Sequence, residues 1–301
     1  MNTNDINQRQ NQPDAISLLK AADAAYVYAR RADSFRTVVT IASLVAAMTA
    51  AVRADLVEVM AVAGVAGTLL NELARRFLTL RWTRQAMLFQ EWLDTSLFGL
   101  AWNPTLGRKP REEDRRYWEK RFSGDESRKK DWYVDIEGLP PGHAVLLCQR
   151  ENLSWDARLR RIWGTSLQML AVALIVLGLL IGWYADWKVW ELVVRWLVPA
   201  APALVFIVDS GLRHRRIADE KDDLINRVED LLEDVPVASA RGQKRLLARA
   251  REIQDHLARL RAEETRVPGW LFNRLRRAYE DEAATGAKNW HDRLLRETPE
   301  S

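Results

Sequence analysis

Two stretches of the sequence combine cationic side chains with tryptophan, which suits a ligand that carries both phosphates and bases. Arginine forks and lysine ammonium groups bind phosphate oxygens, and tryptophan faces stack on nucleobases. A structural interpretation competes with this one, since tryptophans also fill cores and cations also face anionic lipid. The candidate ligand-binding residues are Trp102, Asn103, Arg108, Lys109, Arg150, Asn152 and Trp155.

A second set of candidates consists of polar side chains inside long apolar stretches. Ionisable groups at membrane depth are costly, so they usually face protein or water. Glu58 and Arg195 allow two interpretations: they extend to head groups at an interface, or they line or gate a pore in an oligomer. The candidate pore-lining or gating residues are Thr40, Ser43, Thr49, Glu58 and Arg195.

Catalytic motifs are missing from the sequence. It contains no GxSxG elbow, no Walker A loop, no GxGxxG turn and no HExxH helix. The four histidines are scattered without zinc-binding spacing, and the single cysteine, Cys148, lies in an apolar run that predicts a core position. We therefore expect no catalytic residues, no metal site, no cofactor and no enzymatic activity.

The apolar stretches themselves predict transmembrane helices. Residues 164–185 contain no ionisable side chain except Tyr184. A helix of this length spans about 33 Å, enough for a hydrocarbon core of about 30 Å. Trp163 precedes it and Trp187 follows it, as in the aromatic belts of membrane proteins. Residues 192–212 form the next apolar stretch and predict the returning span. Pro199 and Pro202 interrupt this stretch, but membrane helices tolerate proline.

An earlier pair of apolar stretches, residues 37–52 and 56–70, is shorter and rich in alanine. Small residues recur at four-residue spacing, which favours close helix contact in lipid. They are Ala42, Ala46 and Ala50 in the first stretch and Ala63 and Gly67 in the second. A soluble helical hairpin is the alternative for this pair.

Positive charges flank the four stretches mainly on one side. Thirteen arginines lie on the side of both termini, against Arg53 and Lys188 in the two short turns. The positive-inside rule then predicts that both termini and the central loop are cytoplasmic. The first 33 residues are largely polar, so we expect no secretory signal.

Composition supports this division of the chain. Hydrophobic residues make up 48% of the 301 residues and charged residues 29%, and the two are segregated. The net charge of +4 is too small to imply binding of a nucleic-acid polymer. One cysteine excludes a disulfide scaffold, and the long apolar runs exclude a disordered chain.

The remaining regions show helical periodicity, so we predict an all-α membrane protein. Two transmembrane hairpins would carry a mainly helical cytoplasmic domain built from the N-terminus, the central loop and the C-terminal tail. The predicted domains are 1–36 (N-terminal amphipathic helix), 37–70 (hairpin 1), 71–162 (central region), 163–212 (hairpin 2) and 213–301 (C-terminal helices).

From about residue 5 to 235, the sequence resembles the SMODS-associated four-transmembrane effectors of bacteria. The resemblance lies in the order and spacing of short motifs between and beside the paired spans. They are Ala24-Ala25-Tyr26, Glu91-Trp92-Leu93-Asp94, Leu97-Phe98-Gly99-Leu100-Ala101-Trp102-Asn103, Asp131-Trp132-Tyr133, Cys148-Gln149-Arg150-Glu151-Asn152 and Trp155-Asp156.

The resemblance implies a pore-forming effector of anti-phage defence that acts by abortive infection. A partner nucleotidyltransferase would make a cyclic di- or oligonucleotide, which the effector binds on the cytoplasmic side before it damages the inner membrane. We expect a homo-oligomer, since one pair of hairpins leaves little room for water. The alternative is a non-conducting membrane scaffold or sensor whose cytoplasmic helices recruit a partner protein.

Overall fold

Four long helices dominate the architecture of the protein. The computed structural model describes the backbone of residues 4–263 and 267–296, and their side chains except at 4, 5, 155, 156, 269, 270, 272, 273 and 275–284. No strand occurs within these ranges. Among the described residues, four helical segments are long and apolar enough to cross a membrane: Pro13–Val52, Ala54–Phe98, Pro141–Tyr184 and Val189–Asp234. The predicted fold class, an all-α membrane protein with four spans, is confirmed.

Ten α-helices and several short helical turns make up the described chain. The helices are α1 (Asn4–Arg9), α2 (Pro13–Val52), α3 (Val57–Ala74), α4 (Leu80–Phe98), α5 (Glu112–Glu119), α6 (Pro141–Tyr184), α7 (Val189–Leu192), α8 (Val198–Asp234), α9 (Ala240–Glu263) and α10 (Gly269–Arg296). Single π-helical turns, Arg75–Thr79 and Val193–Leu197, join α3 to α4 and α7 to α8. The 3₁₀ turns are Ala54–Leu56, Pro104–Leu106 and Glu126–Lys129.

The chain divides into two compact units. The membrane unit comprises Tyr28–Trp82 and Arg160–Arg216 and contains all four predicted spans. The globular unit comprises Met1–Val27, Thr83–Leu159 and Ile217–Ser301. Each unit has buried side chains of its own, and the predicted domain boundaries at 36, 70, 162 and 212 stay predictions.

Small residues allow close helix packing inside the membrane unit. A Cβ added to Gly64 would lie 2.4 Å from the carbonyl oxygen of Val198 and 2.7 Å from the Cα of Pro199. Gly178 packs equally tightly on the indole of Trp196, where the nearest ring atom would be 2.2 Å away. Such contacts bring backbones together, and in lipid this dispersion energy replaces the missing hydrophobic drive between helices.

The small residues predicted in the first hairpin divide between the two faces of their helices. Ala50 and Gly67 are buried in the membrane unit, whereas Ala42 and Ala63 are exposed. Large apolar side chains such as Val59, Val62 and Leu69 also lie on the outer surface. Contiguous exposed apolar surface of this kind suits lipid, so it favours membrane insertion over the soluble hairpin.

The core of the globular unit consists largely of apolar side chains from its helices. The run from Ala144 to Cys148 is fully buried on α6, and burial raises the pKa of the Cys148 thiol. Met87 on α4 and Ala258 on α9 pack on Leu106, which follows the end of α4. The loop after α4 is therefore anchored to the core of this unit.

We expect Gly64→Ala to destabilise the membrane unit by about 1–3 kcal/mol, because the new methyl group meets rigid backbone atoms of α8. The measurement is thermal unfolding in detergent, followed by circular dichroism. Gly182→Ala is the matched control, since its Cβ would lie 3.3 Å from a flexible Leu192 methyl group. Equal stability of the two variants would contradict the packing described for Gly64.

Candidate functional site

Two acidic side chains lie deep inside the globular unit. Glu91 and Asp94 on α4 are 0% and 1% exposed. They share one helical face with Met87 and Phe98, because the spacing i, i+4, i+7 and i+11 returns to the same side of an α-helix. Burial raises the pKa of Glu91, while hydrogen bonds from Gln254 and Arg251 oppose this effect.

Helix α9 supplies the partners of these carboxylates. Arg261 donates from Nη1 to Oδ2 of Asp94 at 2.6 Å, and Arg251 donates from Nη2 to Oε1 of Glu91 at 2.7 Å. Gln254 bridges the pair, donating from Nε2 to Glu91 at 2.8 Å and to Asp94 at 3.0 Å. The buried charges are thus paired and hydrogen-bonded, as charges removed from water must be.

Two further segments join this buried polar network. The Tyr133 hydroxyl donates to Oδ1 of Asp94 at 2.5 Å and accepts from Nδ2 of Asn152 at 3.0 Å. Gln149 donates from Nε2 to Oε1 of Gln254 at 3.0 Å. Burial and the charge of Asp94 raise the pKa of Tyr133, so the hydroxyl keeps its proton.

The network extends to the loop that follows α4. Arg251 donates from Nη1 to the carbonyl oxygen of Ala101 at 2.7 Å. Trp102 then donates from its indole Nε1 to the carbonyl oxygen of Gly107 at 3.0 Å, and the Asn103 side chain accepts from the backbone N–H of Thr105 at 2.9 Å. These bonds fix the shape of the loop around its predicted ligand-binding residues.

Two predicted ligand-binding residues at the end of this loop are exposed. They are Arg108 and Lys109. The Lys109 ammonium lies 4.7 Å from the ring centroid of Trp92, within cation–π range. Exposed cations can bind phosphate, and an aromatic ring beside them can stack on a base.

The remaining predicted ligand-binding residues have different surroundings. Arg150 donates from Nε to Glu229 at 2.7 Å and lies 6.0 Å from the ring of Trp290, so its charge is already compensated. Asn152 belongs to the buried polar network through Tyr133. The side chain of Trp155 lies outside the described residues. The structure thus groups Trp102, Asn103, Arg108 and Lys109 on one loop, and gives Arg150 and Asn152 other partners.

A separate concave surface lies between α8 and α9. This cavity has a volume of about 290 Å³. Its lining mixes cations, carboxylates and aliphatic side chains: Leu224, Arg227, Asp230, Leu231, Arg249, Glu252, Ile253 and His256. Arg249 is paired with Glu252 at 2.7 Å, so part of the positive charge in this cavity is neutralised.

In the membrane unit, the predicted pore-lining residues are distributed over different environments. Thr40 and Ser43 are buried and donate to backbone carbonyl oxygens of their own helix. Thr49 is half-buried and Glu58 is exposed. Arg195 forms an ion pair with Glu191 at 3.0 Å and lies 5.5 Å from the Trp187 ring.

Sequence reasoning missed the acidic pair and its partners on α9, namely Glu91, Asp94, Gln254 and Arg261. The signal was available, because these residues occupy positions that helical periodicity assigns to the core. Polar residues in such positions need partners inside the protein. The sequence does not say which segments provide them.

These observations define an all-α membrane protein in which a four-span unit is combined with a helical globular unit. Comparison with known sequences identifies the family: the chain belongs to the SMODS-associating 4TM effector domain family, whose model matches residues 4–290. The resemblance read from the motifs is confirmed.

One curated relative also matches. It is a protein of Bacillus cereus (strain VD146) described as a probable CBASS effector molecule, 25% identical over 185 residues. The aligned region covers 61% of this chain and 61% of the relative. No solved structure gives a significant match.

Replacing Asp94 by alanine should destabilise the globular unit by about 3–5 kcal/mol, because Arg261 would remain buried without its carboxylate. Thermal unfolding of the detergent-solubilised protein measures this loss. The exposed residue Asp223 provides the control, as Asp223→Ala should change stability by less than about 0.5 kcal/mol. A small loss for Asp94→Ala would mean that the ion pair is structurally dispensable.

The carboxyl group of Glu151 should make the folding stability of the protein depend on pH. Burial raises its pKa to about 7, although its side chain accepts a hydrogen bond from the Val134 N–H at 3.0 Å. The folded protein therefore retains a proton that the unfolded chain loses above its ordinary carboxyl pKa, and stability falls as the pH rises toward 7.

Glu151→Gln removes this penalty and should stabilise the protein by about 1–3 kcal/mol at pH 8. The variant should also show a flatter stability profile between pH 5 and 7 in thermal unfolding. The exposed acid Glu113 offers the comparison, with Glu113→Gln expected to follow the wild-type profile. Parallel profiles for Glu151→Gln and the wild type would contradict the assignment.

Proposed function

We propose that this protein is a membrane-disrupting effector of CBASS anti-phage defence. The match of a four-span effector family to residues 4–290 carries the proposal. The curated relative, described as a probable CBASS effector molecule, supports it. Arginines beside the spans support insertion in the bacterial inner membrane with both termini in the cytoplasm.

The activating signal in this proposal is a cyclic di- or oligonucleotide made by a partner nucleotidyltransferase. The ligand binds the globular unit on the cytoplasmic side. The loop cations Arg108 and Lys109 are the best-placed residues for its phosphates, because both are exposed and Lys109 lies beside Trp92. Arg150 and Asn152 are less available for ligand binding, since they already donate hydrogen bonds to Glu229 and Tyr133, respectively.

Ligand binding acts by shifting a population. A ligand favours whichever arrangement of the spans it binds more tightly, and the size of the shift equals the difference in binding free energy. In this proposal the favoured arrangement is a homo-oligomer that lets water and ions pass. Four closely packed helices leave little space for water within one protomer.

We expect a panel of synthetic cyclic di- and trinucleotides to include one that makes proteoliposomes carrying the full chain release a trapped dye. Release should require both protein and nucleotide. If no nucleotide of the panel causes release from liposomes that contain folded, inserted protein, the membrane-disrupting function is wrong. Binding of a nucleotide without release would instead favour the non-conducting scaffold or sensor.

The same assay locates the ligand. The double variant Arg108→Ala with Lys109→Ala should need at least about ten-fold more nucleotide for half-maximal release, since each lost phosphate contact weakens binding by one to a few kcal/mol. Arg128→Ala with Lys130→Ala makes the same change in charge elsewhere on the globular unit and should leave release unchanged. Arg227→Ala with Arg249→Ala tests the cavity between α8 and α9, and a selective loss there would reassign the site.

A further inference from the structure

Four polar side chains in the second half of α2 and near the end of α3 point into the membrane unit. Arg36, Thr40 and Ser43 on α2 and Asn71 on α3 are between 3% and 6% exposed. We call these four residues the interior polar face. They lie at one end of the predicted spans 37–52 and 56–70, and Ser43 is almost two helical turns from the first residue of its span.

The hydrogen bonds of the interior polar face are incomplete. Arg36 pairs through Nη1 with Asp33 at 3.0 Å, and Asn71 reaches Oγ1 of Thr40 only at 3.4 Å. Nε of Arg36 and Oδ1 of Asn71 are buried and have no hydrogen-bond partner among the described residues. Buried polar atoms without partners cost free energy, which water or another polar group would recover.

The outer surface of the same helix has the opposite character. Val38, Ile41, Val45 and Met48 on α2 are 57% to 63% exposed. Side chains of this kind suit contact with lipid tails, but they provide no donors or acceptors for water or an ion. A lumen lined by these faces would be apolar.

The interior polar face therefore provides the hydrogen-bond donors and acceptors that a water-filled path needs and that the outer face lacks. We propose that activation exposes Arg36, Thr40, Ser43 and Asn71 to water, so that they line the conducting path of the oligomer, whereas the outward face of α2 stays away from water, in contact with lipid or a neighbouring protomer. This inference rests on the proposed membrane-disrupting function and specifies which surface of the spans carries it.

An apolar cluster lies further along α2, next to the interior polar face. Ala47, Trp196 and Ala200 are buried together, with Trp196 1% exposed. Trp196 belongs to the π-helical turn Val193–Leu197, a local geometry that often marks functional sites in helices. In the proposed open state this indole, which packs on Gly178 here, moves aside.

Cysteine accessibility tests the proposal. The only native thiol, Cys148, is buried in the globular unit and is replaced by alanine to give a background without cysteine. Thr40→Cys and Ser43→Cys introduce thiols on the interior polar face with little change in volume. Ile41→Cys and Val45→Cys introduce matched thiols on the exposed face of the same helix.

The variants are reconstituted in liposomes and treated with a membrane-impermeant cationic methanethiosulfonate reagent, with and without the cyclic nucleotides used above. Dye release is recorded from the same samples. Because modification follows the population of the exposed state, the nucleotide should accelerate labelling at positions 40 and 43 by at least about ten-fold. Labelling at 41 and 45 should stay slow in both conditions.

The outcomes separate this inference from the proposed function. If dye is released while positions 40 and 43 stay protected, the protein disrupts membranes through another surface and the inference is overturned. Rapid labelling at 41 and 45 on activation would overturn it as well, since the lipid-facing surface would then line the path. If neither the cysteine-free background nor the wild type releases dye, the proposed function fails and the inference falls with it.

Discussion

A charge or polar group removed from water must find its partner inside the protein, and this constraint shapes both units. In the globular unit, the Asp94–Arg261 ion pair shows the constraint satisfied. The carboxylate collects bonds from Arg261, Gln254 and Tyr133, which lie far apart in the sequence. Because each partner would be left unpaired without the others, helix α4, helix α9 and the segment around Tyr133 are held in one arrangement.

The same network connects several of the motifs by which this sequence resembles its family. Glu91 and Asp94, Tyr133, and Gln149 with Asn152 come from three separate motifs, and all belong to the buried polar network. Through Arg251 the network also fixes Ala101, next to the Trp102-Asn103 pair. The residues of these motifs thus form a buried framework. This framework holds one end of the loop on which Arg108 and Lys109 are exposed.

In the membrane unit the constraint is only partly satisfied. Arg36 and Asn71 keep buried atoms that find no hydrogen-bond partner in the described part of the chain, whereas the exposed side of α2 is apolar. Unpaired polar atoms inside the unit cost free energy for as long as water is excluded from them. In the proposed activation, hydration of these groups would offset part of the free-energy cost of opening the spans.

The sequence by itself determined the elements. Apolar runs of span length can satisfy their backbone groups in lipid only as helices, so the four spans and the all-α class follow from composition and periodicity. It also marked Cys148 and its neighbours as core residues. Only the tertiary structure decided that Glu91 and Asp94 meet Gln254 and Arg261, or that Thr40 and Ser43 face inward while Val45 faces out. Periodicity assigns a residue to one face of its own helix, but the partner of that face is set by packing between segments more than a hundred residues apart.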